Sequence, residues 1–273
     1  MAVARRSAHI NVMVDAAEKA GRSLVRDFGE VEQLQVSRKG PGNFVSTADH
    51  KAEKLIRELL LKARPKYGFL MEESGETKGE DPSCRWVVDP LDGTMNFLHG
   101  IPHWCVSIAL EKDGELVAGV IYDPIKDELF WAEKGLGAFM NNRRLQVSGR
   151  TSLSEAAIAL HHAAYDSIEG LSTLVKSGTI IRNMGSTCLD LAYVAAGRLD
   201  AFCKSHISGG LWDVAAGIVL VREARGMATD AKMGKNFNTG GSLVAANSTL
   251  HKDLAARVKT TDTGAKKAGA AAS

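Results

Sequence analysis

The chain reads as an α/β protein: an α+β first half with a mainly antiparallel sheet, and an α/β second half in which strands and helices alternate. Three features predict this. Apolar residues recur at a helical period in two stretches near the start. Short apolar runs broken by turn residues continue to residue 147, and strand-like and helix-like stretches alternate from 148 onward.

The opening helix is predicted from Ile10, Met13, Val14, Ala17, Leu24, Val25 and Phe28, which recur near a helical period. Gly40-Pro41-Gly42-Asn43 then breaks the pattern with residues that favour turns. A second helix over 49–64 puts Ala52, Leu55, Ile56, Leu59, Leu60 and Ala63 on its inner face, with Ser46 or Thr47 as N-cap. Strands follow at Trp86–Asp89, Cys105–Leu110, Leu116–Tyr122 and Glu128–Ala132, divided by Asp113-Gly114 and Asp123-Pro124. Gly135, Gly137 and Asn141-Asn142 mark further turns. Beyond them Ala157–His161, Ile180–Arg182, Asp200–Cys203, Met227–Thr229 and Leu243–Ala246 read as strands, with helices over 168–177, 188–196, 212–224 and 248–258. Two halves are expected, 1–147 and 148–259. The tail over 260–273 lacks apolar periodicity and is expected to be disordered.

With 273 residues, 45% hydrophobic, the chain has ample material for a core. A net charge of +2 gives no electrostatic case for nucleic acid or an anionic membrane. No apolar run approaches the roughly 18 residues of a membrane span. Arg5-Arg6 is followed by Asn11, Asp15, Glu18 and Lys19 rather than an apolar stretch, so the start reads as that of a mature cytoplasmic protein. Cys84, Cys105, Cys188 and Cys203 lack paired or zinc-like spacing and are expected to be reduced, mostly buried thiols.

The strongest chemical signal is Trp86-Val-Val-Asp-Pro-Leu-Asp-Gly-Thr94. An apolar run ends in Asp89, Pro90 fixes the backbone, and Asp92-Gly93-Thr94 turns away, so two carboxylates share one corner. Taken alone, Asp-Pro and Asp-Gly read more readily as a solvated turn. An EF-hand is excluded because Pro90 and Leu91 interrupt the ligand spacing. Upstream, Glu72 and Glu73 close another apolar run in Tyr67-Gly-Phe-Leu-Met-Glu-Glu-Ser74. Downstream, Gly209-Gly-Leu-Trp-Asp213 opens an apolar helical stretch, where the acid taken alone reads more readily as one placed at the positive helix end.

Together and in this order, the three segments resemble the inositol monophosphatase family. The likeness continues through Asn96-Phe97, Gly100-Ile101-Pro102, Gly135-Leu-Gly-Ala138, Asn141 and Gly185-Ser186, covering the chain to about residue 258. It implies a layered αβαβα fold and a lithium-sensitive, homodimeric phosphatase. The substrate would be inositol monophosphate or a related small polyol or sugar phosphate, hydrolysed with two or three magnesium ions per active site. Carried over residue by residue, Glu72, Asp89 and the Leu91 carbonyl would hold one metal, and Asp89, Asp92 and Asp213 a second. Glu72 and Thr94 would orient the attacking water, and Asp49 would support Thr94 by a hydrogen bond. The amides of Gly93 and Thr94 would bind phosphate oxygens, with Asp92, Gly185, Ser186 and Thr187 on the substrate side. Ser186 or Thr187 is also explained as a plain helix cap.

An all-oxygen ligand set suits magnesium, and no His-x-x-x-His or thiol cluster is expected to compete for a softer metal. Direct attack by water leaves Cys84 and Cys105 as core thiols rather than nucleophiles. Glu73 reads equally as a supporting residue or a solvated one. Arg38 and Lys39 resemble a mobile loop near the metals but suit a solvated loop as well, and His161-His162 reads as structural.

The sequence departs from the resemblance at one position. Seven residues before the Trp-Asp aspartate the family carries an acid that accepts from substrate hydroxyls; here that count reaches His206. A neutral imidazole accepts once where a carboxylate accepts from two adjacent hydroxyls. Inositol recognition then weakens by about 10-fold, unless a shifted loop leaves His206 on the surface. Activity on fructose 1,6-bisphosphate or a 3′-phosphoadenosine nucleotide shares the metal site and stays open. So does a non-catalytic regulator binding protein or RNA on the same fold.

Overall fold

The computed structural model describes residues 5–30, 36–40, 43–160 and 174–257. His161-His162, most of the helix expected over 168–177 and the tail lie outside them. Helix α1 (Ala8–Phe28) begins at Ser7, whose side chain accepts from the Ile10 amide, and buries Ile10, Met13, Val14, Ala17 and Leu24. Val25, expected on that face, is exposed. One step along a helix turns a side chain by about 100°, so the residue after Leu24 leaves the buried stripe. A hairpin of β1 (Val36–Gly40) and β2 (Asn43–Ser46) leads into α2 (Thr47–Ala63). The inner face of α2 holds Ala52, Ile56 and Leu60, and also two acids one turn apart, Asp49 and Glu53.

An eight-stranded sheet follows: β3 (Tyr67–Met71), β4 (Gly75–Thr77), β5 (Asp81–Asp92), β6 (Cys105–Lys112), β7 (Glu115–Asp123), β8 (Glu128–Glu133), β9 (Gly137–Met140) and β10 (Arg143–Arg144). Its order is β10-β9-β8-β7-β6-β5-β3-β4, antiparallel except for the β3–β5 pair. The short helix α3 (Thr94–Leu98) lies between β5 and β6. Strand β5 starts five residues before its apolar run, because Asp81, Ser83 and Arg85 are held there by backbone pairing and polar side-chain bonds and leave no apolar signal. Strand β10 forms one edge of the sheet, where two arginines take the place of an apolar pattern. The short apolar β9 beside it lies between Gly135 and Asn141-Asn142, so the sequence there reads as turns.

A five-stranded sheet contains β11 (Ala157–Leu160), β12 (Ile180–Arg182), β13 (Ala201–Lys204), β14 (Met227–Thr229) and β15 (Leu243–Ala246), ordered β12-β11-β13-β15-β14. Helices α4 (Thr187–Ala195) and α5 (Ala215–Glu223) belong to this stretch, as does α6 over 248–257.

Alternation along the strands sorts these elements into five layers. On the large sheet Trp86, Val88, Ile108, Val120 and Trp131 face α1 and α2, while Val87, Ala109, Ile121, Phe130 and Ala132 face α4 and α5. On the small sheet Ala159, Leu243 and Ala245 join that same central core, whereas Ile158, Leu160, Val244 and Ala246 pack with Leu250 and Leu254 of α6. The order is helix, sheet, helix, sheet, helix. Helices α4 and α5 are thereby buried on nearly every side and mostly apolar, as a layer between two sheets must be, with Thr187 and Asp190 of α4 as buried polar exceptions.

Candidate active site

The local geometry of the site starts at Pro90. Proline has no N–H for the ladder, and β5 bulges there: Asp89 pairs with Ser107 and Asp92 with Cys105, so one extra residue stands on β5. The bulge re-aims both aspartates. The Leu91 amide donates to Asp89 Oδ1 at 3.0 Å, and the Thr94 hydroxyl donates to the Leu91 carbonyl at 3.0 Å. The resemblance implies Asp49 as a support for Thr94; the hydroxyl here donates to the Leu91 carbonyl. Gly93 takes φ +96 at the start of α3, where a Cβ would lie 3.0 Å from the His103 carbonyl, so the turn requires glycine.

Four other elements bring their residues to this corner. Glu72 follows β3, with its amide donating to the Val88 carbonyl. Asp49 is buried in the first turn of α2. Asp213 ends a 3-10 turn, Leu211–Asp213, just ahead of α5. Gly209 lies so close to the Asp213 carboxylate that any side chain at 209 would collide with it. The Ser186 hydroxyl at the start of α4 donates to Asp92 Oδ2, and the Cys188 amide donates to the same oxygen at 2.7 Å. Ser186 also accepts from the Leu189 amide as the N-cap of α4, so cap and contact are one side chain. Thr187 is buried between them, and Gly185 (φ +83) lies against Asn96.

The electrostatics follow from this crowding. Burial, with Asp213, Asp49 and Glu73 nearby, pushes Glu72 up to about 8. Burial lifts Asp89 well above the carboxylate range, reinforced by Glu72 and Asp92. Asp92 is raised by burial against the opposing hydrogen bonds from Ser186 and Cys188. Asp213 is raised by burial to about 6 against the pull of Lys204. Like charges this close disfavour ionisation together. Such a set holds protons, or it holds cations in their place.

Sequence reasoning missed three acids and bases here. Lys204, at the end of β13, is only 1% exposed and puts its ammonium 3.6 Å from Asp213. His206, two residues later, is exposed beside Gly240, because the chain leaves the sheet between them. Counting along the sequence lands on the loop, while the strand end delivers Lys204. Glu53 accepts from the Glu73 amide at 2.9 Å and fixes the turn that carries Glu72; its position four residues after Asp49 was the available signal. Asp190 is buried in α4 and raised by burial and by Asp92. Glu73 is buried beside His50 rather than solvated. The expectation that no thiols gather here also fails: Asp92, Cys105 and Cys188 place one ligand atom each within 4.8 Å of one another. Cys105 comes from the strand opposite the bulge and Cys188 from α4, a meeting that 83 residues of separation conceal.

The profile of the inositol monophosphatase family matches residues 6–262. The chain belongs to that family. It is 53% identical to the inositol-1-monophosphatase of Mesorhizobium japonicum, over 93% of this chain and 97% of the relative. It is 38% identical to the Nus factor SuhB of Escherichia coli, over 92% of this chain and 95% of that one. The crystal structure of the extragenic suppressor protein suhB of Bartonella henselae superposes with a TM-score of 0.88 at 53% identity, over 93% and 99% of the two chains. The protein is accordingly a phosphatase of this family, with the layered sugar-phosphatase fold. Among its described residues no helix is long and apolar enough to cross a membrane.

Proposed function

We propose that this family member is a magnesium-dependent phosphomonoesterase acting on inositol monophosphate or a related small polyol or sugar phosphate. The observation that carries the reading is the convergence of Glu72, Asp89, Asp92 and Asp213, four acids from three separate segments, each held above its ordinary protonation range. Oxygen donors with that much excess negative potential fit a hard dication. Glu72, Asp89 and the Leu91 carbonyl would hold one ion, and Asp89, Asp92 and Asp213 another. When bound, magnesium neutralises charge on phosphoryl oxygens and acidifies a water.

The chain's own groups supply the rest. Glu72 and Thr94 orient the attacking water, and the Gly93 and Thr94 amides meet phosphate oxygens. Ser186 and the Cys188 amide commit Asp92 Oδ2 and so fix the orientation of its other oxygen. Cys105 is no nucleophile, since burial pushes its thiol to about 12.

The test is phosphate release from a panel of inositol, sugar, bisphosphate and nucleotide phosphates, with and without chelator. Chelator is expected to abolish activity and magnesium to restore it. Asp92→Asn and Asp213→Asn should each lower turnover at least about 100-fold while the protein stays folded, the scale of losing one strong transition-state contact. Turnover within a few-fold of wild type in either variant would remove the assignment. Relatives named Nus factor SuhB raise a partner-binding role beside catalysis. A partner captured equally by wild type and Asp92→Asn would belong to that role.

A further inference from the structure

We propose that Asp92, Cys105 and Cys188 form a site for one thiophilic dication of the zinc or cadmium class, whose occupancy inhibits the phosphatase by withdrawing Asp92 from the magnesium set. The inhibitory half rests on the ligand assignment above; the site itself rests on geometry. The Cys105 Sγ lies 3.8 Å from Asp92 Oδ2 and 3.8 Å from Ser186 Oγ. In tetrahedral coordination with metal–sulfur near 2.3 Å and metal–oxygen near 2.1 Å, a sulfur-to-oxygen edge measures about 3.6 Å. The three ligand atoms lie within 4.8 Å of one another, so small rotations bring them onto one ion. The Ser186 hydroxyl, which donates to Asp92 Oδ2 and caps α4, borders the site.

The charge balance favours the exchange. As the two metal–sulfur bonds form, each thiol gives its proton to solvent, so two protons leave and one dication enters. The net charge of a buried cluster is then unchanged, which avoids the cost of burying an uncompensated ion. Magnesium gains nothing from two sulfurs, whereas zinc and cadmium do. Neither thiol takes part in catalysis in the reading above, and both are fully enclosed. The Cys188 thiol donates to the Asp213 carbonyl at 3.1 Å, a bond it gives up when it turns to the ion. Of the three ligands only Asp92 is partly exposed. A thiophilic ion there competes for the same carboxylate from behind, through ligands that magnesium does not use.

The test uses the full chain with reduced thiols and no magnesium, titrated with cobalt(II). A thiolate-to-cobalt charge-transfer band in the near ultraviolet is expected to saturate at one equivalent and to vanish when zinc is added. Cys105→Ala and Cys188→Ala should lose the band, with Cys105→Ser as the volume-preserving variant should the alanine form not fold. In phosphate-release assays at saturating magnesium, half-inhibition of Cys105→Ala should need at least about 10-fold more zinc than wild type, the scale on which metal sites lose affinity when a supporting group is removed. Absence of the band in wild type, or zinc inhibition equal in wild type and both cysteine variants, overturns the proposal. The band does not depend on turnover, so it is decided separately from the substrate.

Discussion

Lys204 is the residue whose role depends most on its surroundings. A lysine 1% exposed must have a partner, and Asp213 supplies it at 3.6 Å. Removing one member of a buried pair leaves the other charge uncompensated, at a cost of about 3–5 kcal/mol. In chelator, Lys204→Met should therefore melt well below wild type. Added magnesium should close much of that gap, and calorimetry should show tighter magnesium binding, because the ammonium no longer competes for Asp213. Unchanged affinity would mean that Lys204 takes no part in the charge balance of the site. His206 is the converse case. It is exposed, so His206→Glu is expected to leave kcat/KM for inositol monophosphate unchanged. A selective rise would return it to the substrate side.

At the scale of elements, the site depends on how closely α5 lies on the large sheet. Gly119 of β7 faces the first turn of α5, and a Cβ there would stand 2.7 Å from the Ala216 carbonyl and 2.8 Å from its Cα. Those atoms are backbone, so the added methyl can be accommodated only by moving the helix. Overpacking of this kind costs about 1–3 kcal/mol. The turn carrying Asp213 precedes that helix directly, so Gly119→Ala should lower Tm and raise the magnesium concentration needed for half-maximal activity. A loss of Tm with no change in the magnesium requirement would show that the turn is held independently. The α1 stripe, the turn glycines and the strands at 180–182, 227–229 and 243–246 are legible in the sequence because periodicity and turn chemistry are local. Edge strands β4 and β10 are not, since backbone pairing carries them without an apolar pattern, and β9 is hidden because its short Gly-Ala-Phe-Met run is flanked by turn residues.

For the whole molecule, the acids couple metal binding to stability. Glu72 moves from 4.5 to about 8 and Asp213 from 3.8 to about 6 in the folded, metal-free protein. The folded state then binds more protons than the unfolded one. Stability from these groups is complete below about pH 4 and is lost as pH rises through about 6 and then about 8. In chelator, Tm is expected to fall between about pH 5 and pH 8.5, and the Tm gain from magnesium to grow over the same window. A magnesium gain independent of pH would mean that the acids do not exchange protons for metal. The coupling is molecule-wide because α2, the ends of β3 and β5, α4 and the turn before α5 all contribute to one charge cluster.

The sequence by itself determined most elements and marked the acids: period sets the buried face of α1 and α2, and Glu72, Asp89, Asp92 and Asp213 stand where apolar runs end or begin. The five layers and the acids' common site were what the family resemblance implied. Tertiary structure alone decided what those acids meet. The bulge at Pro90 sets where Asp92 points, the strand end rather than the loop delivers a cation to Asp213, and β6 and α4 carry two thiols to the back of Asp92. None of these has a local signal. A residue's partner across the fold is set by strand register and helix packing, which are properties of the whole chain, whereas its own face and turn are set by its immediate neighbours.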